Sequence, residues 1–196
     1  MARRALALTA SLETLPSAEV EASTAAEPLG SLEVLYRAHA RAVARFLARL
    51  DGPRPDLEDL VHDVFLRADA DRARFRAAST VRTWLFGIAY NLLRARRRRE
   101  RLRRFLLREH APTLAPPAAP SPDATLDAAG AWRTLAPALA ALPEHERVVL
   151  VLFELESASG AEIAAALGVK PATVWVRLHR ARARLRALLE TSGGAR

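Results

Sequence analysis

The stretch SGAEIAAALGVKPATVWVRLHRAR, residues 159–182, reads as two helices joined by a tight turn, and the rest of the fold is read outward from it. Ser159 and Glu162 have the S-x-x-E spacing in which each side chain satisfies the other's free backbone N–H at a helix start. Ile163 and Leu167 repeat at i, i+4 toward a core, and Gly168 ends the helix. Pro171 suits the first turn of a second helix, where its missing N–H is not needed. Val174, Leu178, Ala181, Leu185 and Leu188 then form one inward stripe. Because successive helical residues rotate by about 100°, Ala172, Thr173, Val176, His179 and Arg180 lie opposite that stripe, while Trp175, Arg177 and Arg182 flank it. Two capped helices with a cationic outer face on the second have the pattern of a helix-turn-helix, so these residues are candidates to lie in or beside a DNA major groove.

Composition points the same way. The 196 residues suffice for one ordinary domain or two small ones, and 51% hydrophobic residues can fill compact cores. The net charge is +8, and of 30 basic residues only Lys170 is lysine. The positive charge clusters at 94–104 and 177–186, which favours a polyanionic partner. The chain has no cysteine, which excludes disulfides, thiolate metal sites and a cysteine nucleophile and agrees with a cytoplasmic location. No apolar run approaches the roughly 20 residues of a bilayer span, so no membrane insertion is expected. The five histidines are scattered and form no nucleophile, base and orienter set, so neither an enzyme nor catalytic residues are expected. Glu58 and His62 share a helical face, but one i, i+4 pair is far more often a surface pair than a metal site, so no metal or cofactor is expected.

The periodicity predicts an all-α chain of two small helical domains joined by a flexible, proline-rich linker. Residues 1–30 lack a sustained period and read as a disordered tail. In 31–108, Leu32, Leu35, Tyr36, His39, Val43, Phe46, Leu47 and Leu50 trace one face of a first helix, which Asp51-Gly52-Pro53 stops. A second helix begins at the N-cap candidate Asp56 and has one acidic face. A third starts near Ser79 or Thr80, turns Val81, Trp84, Leu85, Ile88 and Leu92 inward, and runs into RARRRRERLRR. Residues 109–126 hold five prolines and read as the linker, 127–190 as the helix-turn-helix domain and 191–196 as a flexible tail. At roughly 3.3 Å per residue the linker extends to about 60 Å, which lets the two units engage DNA sites about two turns apart.

Two blocks in this order resemble an extracytoplasmic-function (ECF) sigma factor of bacterial RNA polymerase. EDLVHDVFLR, FR and RTWLFGIAYN resemble sigma region 2, and LPEHERVVLVLFELESASGAEIAAALGVKPATVWVRLHRARARL resembles sigma region 4. The resemblance implies a subunit that binds core RNA polymerase, recognises the −10 and −35 promoter elements and promotes DNA melting, with an anti-sigma factor as a further partner. It assigns core docking to the helix at 57–67, with Glu58, Asp59, Val61, His62, Asp63, Phe65 and Leu66 as candidates. It assigns −10 recognition to residues 72–83 and the helix after them, with Arg74, Arg76, Ser79, Thr80, Arg82, Asn91, Arg94, Arg97 and Arg98 as candidates. Trp84, on the inward stripe, is read as core. The −35 element falls to Ala172, Thr173, Trp175, Val176, Arg177, His179, Arg180 and Arg182. Trp175 and Val176 stand where that family commonly has lysine and serine, so the −35 sequence cannot be carried over. The competing reading is a stand-alone helix-turn-helix regulator that dimerises through its N-terminal helices.

Overall fold

The computed structural model describes residues 29–52, 54–107 and 126–193. Most of the expected tail, residues 1–28, lies outside these, as does the expected linker apart from Leu126. Helix α1 (Leu32–Asp51) starts where Ser31 Oγ accepts the Val34 N–H at 3.3 Å, and it buries Leu35, Val43, Phe46, Leu47 and Leu50. Tyr36 departs from the expected stripe: it stays 43% exposed, with its ring on Phe65 of the next helix.

Helix α2 (Leu57–Ala70) follows Asp56, which makes no capping bond with its side chain. The reason is competition for the carboxylate. Arg54 takes Asp56 at 2.8 Å and also pairs with Asp51 and Glu100, while Arg96 reaches Asp56 at 2.6 Å. A charged fork is a stronger partner for a carboxylate than a neutral amide. The Arg54 hydrogen bond holds the Asp56 carboxyl below the usual carboxylate range. One arginine thereby ties together the end of α1, the start of α2 and the middle of α3 (Val81–Leu107). Thr80 Oγ1 accepts the Thr83 N–H at 3.2 Å at the start of α3, and Phe86 stacks on Phe46 with ring centroids 4.4 Å apart.

In the second module α4 (Leu126–Ala141) leads to α5 (Glu144–Leu150), whose last turn widens into a π-helical segment at Val151–Leu155. Helix α6 (Gly160–Leu167) opens with both halves of the Ser159–Glu162 capping box. It ends at Gly168, whose left-handed φ of 64° no side chain with a Cβ adopts cheaply. Helix α7 (Pro171–Gly193) buries Val174, Leu178, Ala181 and Leu185, as the stripe requires. It runs past the expected boundary at 190, so residues 191–193 continue a helix rather than begin a tail.

The described residues contain no strand, and none of their helices is long and apolar enough to cross a membrane. Both modules share one continuous apolar cluster, with α3 against α6 and α1 against α4 and α5. Polar bonds line the seam. Glu156 accepts from Arg49 and Arg82, Arg147 donates to the Leu50 carbonyl at 2.8 Å, and Arg97 meets Glu144 at 3.1 Å. Burial, then the nearby Arg97 charge, pulls Arg147 below the ordinary arginine value.

Candidate nucleic-acid interface

Three surfaces gather the candidate residues. The first is the outer face of α7, where Ala172, Trp175, Val176, His179 and Arg180 are exposed, with Thr173 and Arg177 partly covered. Arg182 is a correction to the sequence reading. Its guanidinium donates to Glu154 at 2.8 and 2.6 Å and lies 5.4 Å over the Phe153 ring, so it braces α7 to the preceding segment instead of reaching into a groove. Trp175 is half spent in the same way. Its ring meets Phe153 edge-on at 5.6 Å and lies against Gly160, where a Cβ would come within 2.8 Å of it. Val176, 50% exposed, is left as apolar surface flanked by cationic and polar side chains.

The second surface is a cavity of about 280 Å³ between the loop after α2 and the first half of α3. Its walls include Arg74, Phe75, Arg76, Ser79, Trp84, Ile88 and Asn91. Phe75 and Trp84 pack with ring centroids 5.1 Å apart, giving an aromatic wall, and the Asn91 amide and the arginines supply polar groups around it. Ala77 holds a left-handed φ of 53° in this loop, a strained state for a residue with a Cβ and one that persists where the surroundings enforce it. Of the sequence candidates, Arg74, Arg76, Ser79 and Asn91 meet here. Thr80 lies at the edge, with its N–H donated to Glu162 at 3.0 Å, and Arg82 is turned to Glu156. Trp84, expected as core, does pack against the apolar cluster and also lines the cavity, and Phe75 was not among the candidates. Trp84 does sit on the inward stripe, but at that point the stripe faces the cavity, and the irregular loop that makes the cavity leaves no periodic trace.

The third surface is the arginine-rich half of α3. Arg98 and Arg99 are exposed, and Arg94 is exposed over the Tyr90 ring at 5.5 Å. Arg97 is a second correction: its side chain is 13% exposed and binds Asp51, Glu144 and the Leu50 carbonyl, so it does not face a phosphate. Helix α2 turns Glu58, Asp59, His62, Asp63 and Leu66 outward. Val61 and Phe65 are 4% and 1% exposed, which makes them core and removes them from any docking face. Burial opposes ionisation of Glu162, but bonds from the Ser159 and Thr80 N–H groups outweigh it and hold its carboxyl below the usual glutamate range.

Known proteins share both halves of this chain. Residues 35–103 match the family Sigma-70 region 2, and residues 133–185 match Sigma-70, region 4. The chain is 37% identical over 160 residues to the ECF RNA polymerase sigma factor SigE of Mycolicibacterium smegmatis, covering 81% of this chain and 62% of SigE. It is 33% identical over 180 residues to the ECF RNA polymerase sigma factor SigL of Mycobacterium tuberculosis, covering 91% of this chain and 99% of SigL. Among solved structures, the sigma factor RpoE in complex with the anti-sigma factor NepR from Bartonella quintana aligns with a TM-score of 0.67 at 26% identity, covering 81% of this chain and 96% of that one. CnrH in complex with the cytosolic domain of CnrY aligns with a TM-score of 0.57 at 28% identity, covering 82% of this chain and 88% of that one. With region 2 built around the cavity, region 4 carrying the helix-turn-helix, and full-length relatives above 30% identity, the chain belongs to the ECF RNA polymerase sigma factors, and its function is in transcription initiation.

Proposed function

We propose that this chain binds core RNA polymerase through the exposed acidic face of α2, reads −35 duplex with the outer face of α7, and captures an unstacked −10 base in the cavity beside α3. The single observation that carries this reading is the cavity itself, where an aromatic pair, an amide and two arginines converge. Opening a duplex without a nucleotide fuel requires trapping bases as they fluctuate out of the stack, at a cost of a few kcal/mol per base. Stacking on an aromatic ring returns about 1–3 kcal/mol per base. Hydrogen bonds from Asn91 to a base edge and arginine contacts to phosphate add to that.

In this reading the residues for −10 DNA are Arg74, Arg76, Ser79, Trp84, Asn91, Arg94 and Arg98. Those for core polymerase are Glu58, Asp59, His62, Asp63 and Leu66. Those for −35 DNA are Ala172, Thr173, Val176, Arg177, His179 and Arg180. The protein performs no covalent chemistry of its own and works in the cytoplasm beside the polymerase. The solved RpoE is bound to the anti-sigma factor NepR, and CnrH to the cytosolic domain of CnrY, which supports an anti-sigma factor as a third partner.

The test is reconstitution of the purified chain with bacterial core polymerase on supercoiled genomic fragments. Discrete transcripts that require both the chain and core are the expected result. Tight binding to a palindromic duplex by the chain alone, with no transcripts, would instead establish a free-standing regulator.

A further inference from the structure

Two side chains of α7, Trp175 and Arg182, reach the same ring on the segment before the helix-turn-helix. The Trp175 indole meets Phe153 edge-on at 5.6 Å, and the Arg182 guanidinium lies 5.4 Å over Phe153 while donating to Glu154 at 2.8 and 2.6 Å. Residues seven apart return to nearly the same side of a helix, two turns and about 10 Å apart along it. Phe153 therefore holds one flank of α7 at two points. It sits in the π-helical turn at Val151–Leu155, which keeps Val151 and Leu152 fully buried and leaves Phe153 half-buried. Such widened turns are rare and occur mostly as single turns, frequently at functional sites. The indole also lies on Gly160, the first residue of α6, where a Cβ would come within 2.8 Å of it. Gly160 has no positive φ, so the missing Cβ serves the indole and not the backbone.

We infer that Trp175, seated against Phe153 and Gly160, is a positioning residue that sets the rotation of α7 and thereby decides which base edges Arg177, His179 and Arg180 meet. The inference rests on the proposed reading of −35 duplex by α7 and names what makes that reading selective. The buried stripe of Val174, Leu178, Ala181 and Leu185 holds α7 to the core, but apolar burial is non-directional and leaves small rotations inexpensive. Base readout is less tolerant. Turning a helix by about 20° moves atoms roughly 6 Å from its axis by about 2 Å. A hydrogen bond to a base edge holds only over about 2.7–3.2 Å. Aromatic pairs prefer defined edge-to-face arrangements, so the Trp175–Phe153 contact supplies the direction that the stripe lacks. Phosphate contacts fix position without carrying sequence, so the indole governs discrimination among sequences more than total affinity.

The test uses holoenzyme and the promoter fragment that gives the strongest transcript in the reconstitution, with the set of its single-base variants across the −35 element. The readout is the ratio of affinities, parent over variants, with the melting temperature of the chain recorded alongside. Trp175→Ala removes the indole and leaves the buried stripe intact. Gly160→Ala keeps the indole but displaces it, at a helical position where alanine is itself favoured over glycine. Each should lower the ratio about ten-fold, as the loss of one specific base contact would, while affinity for unrelated duplex stays within about two-fold. The two effects should not add. In the Trp175→Ala background the new methyl group meets no ring, so Gly160→Ala should change nothing further. A Gly160→Ala variant without effect, or additive with Trp175→Ala, overturns the inference. So does a Trp175→Ala variant that weakens all fragments equally, or that lowers the melting temperature and keeps the ratio. If Arg180→Ala leaves the ratio unchanged, α7 does not read the −35 element and the proposed reading fails instead.

Discussion

Arg97 and Arg98 are neighbours in a run of four arginines, and one helical step separates a structural ion from a free one. Arg97 lies one turn beyond the fully buried Leu93, on the face that meets Asp51 and Glu144, while Arg98 is rotated into solvent. Replacing Arg98 with alanine should lower the salt slope of promoter binding by about one unit for the lost phosphate contact and leave the melting temperature unchanged. Arg97→Ala should leave that slope alone and cost about 1–3 kcal/mol of stability, because Glu144 and a half-buried end of α1 lose their partner. Salt titration together with thermal melting separates the two. The run itself was legible as phosphate chemistry, but the sequence offers no inward hydrophobic residue after Leu93 to show which arginine turns in. Val176 sits at the same scale. An exposed branched side chain on a groove-facing helix matches the C5 methyl of thymine better than any polar base edge. Substituting uracil for thymine, position by position, through the −35 element should weaken binding at one position for the wild type and at none for Val176→Ser.

At the scale of elements, the helix-turn-helix was the most readable part of the chain because its signals are local. The capping box, Gly168 and the α7 stripe are each set by residues within a few positions of one another, and all are present in the structure. The start of α2 was less readable because Asp56 is claimed by Arg54 and Arg96, the second of them 40 residues away on another helix. Similarly, Arg182 reads as a groove residue from rotation alone, and only the contact with Glu154 and Phe153 turns it inward. On α2 the expected acidic face lies outside, with Asp59 and Asp63 exposed, whereas the docking candidates Val61 and Phe65 fall inside. Reversing both carboxylates with Asp59→Arg and Asp63→Arg should weaken association with core polymerase on the order of ten-fold while circular dichroism and melting stay as in the wild type. Unchanged holoenzyme assembly would remove α2 as the docking element.

For the whole molecule, periodicity divides the chain into two helical modules in a stated order, and residues 35–103 and 133–185 are the ranges that match the two family models. How the modules meet was not legible. The seam depends on residues far apart in the chain, such as Arg49 with Glu156 and Gly87 with Ala166, and each of these residues taken alone reads as an ordinary surface charge or small helical residue. The aromatic wall of the cavity was hidden for the same reason, since it needs the Phe75 loop and the Trp84 helix together. Once the polymerase has been recruited, this cavity is to hold an unstacked promoter base. Permanganate reactivity of −10 thymines in complexes assembled with core polymerase measures that directly. Wild-type holoenzyme should render them reactive, whereas Trp84→Ala and Asn91→Ala holoenzymes should assemble and bind the promoter yet leave them protected. Equal reactivity in all three complexes would remove the cavity as the site of base capture.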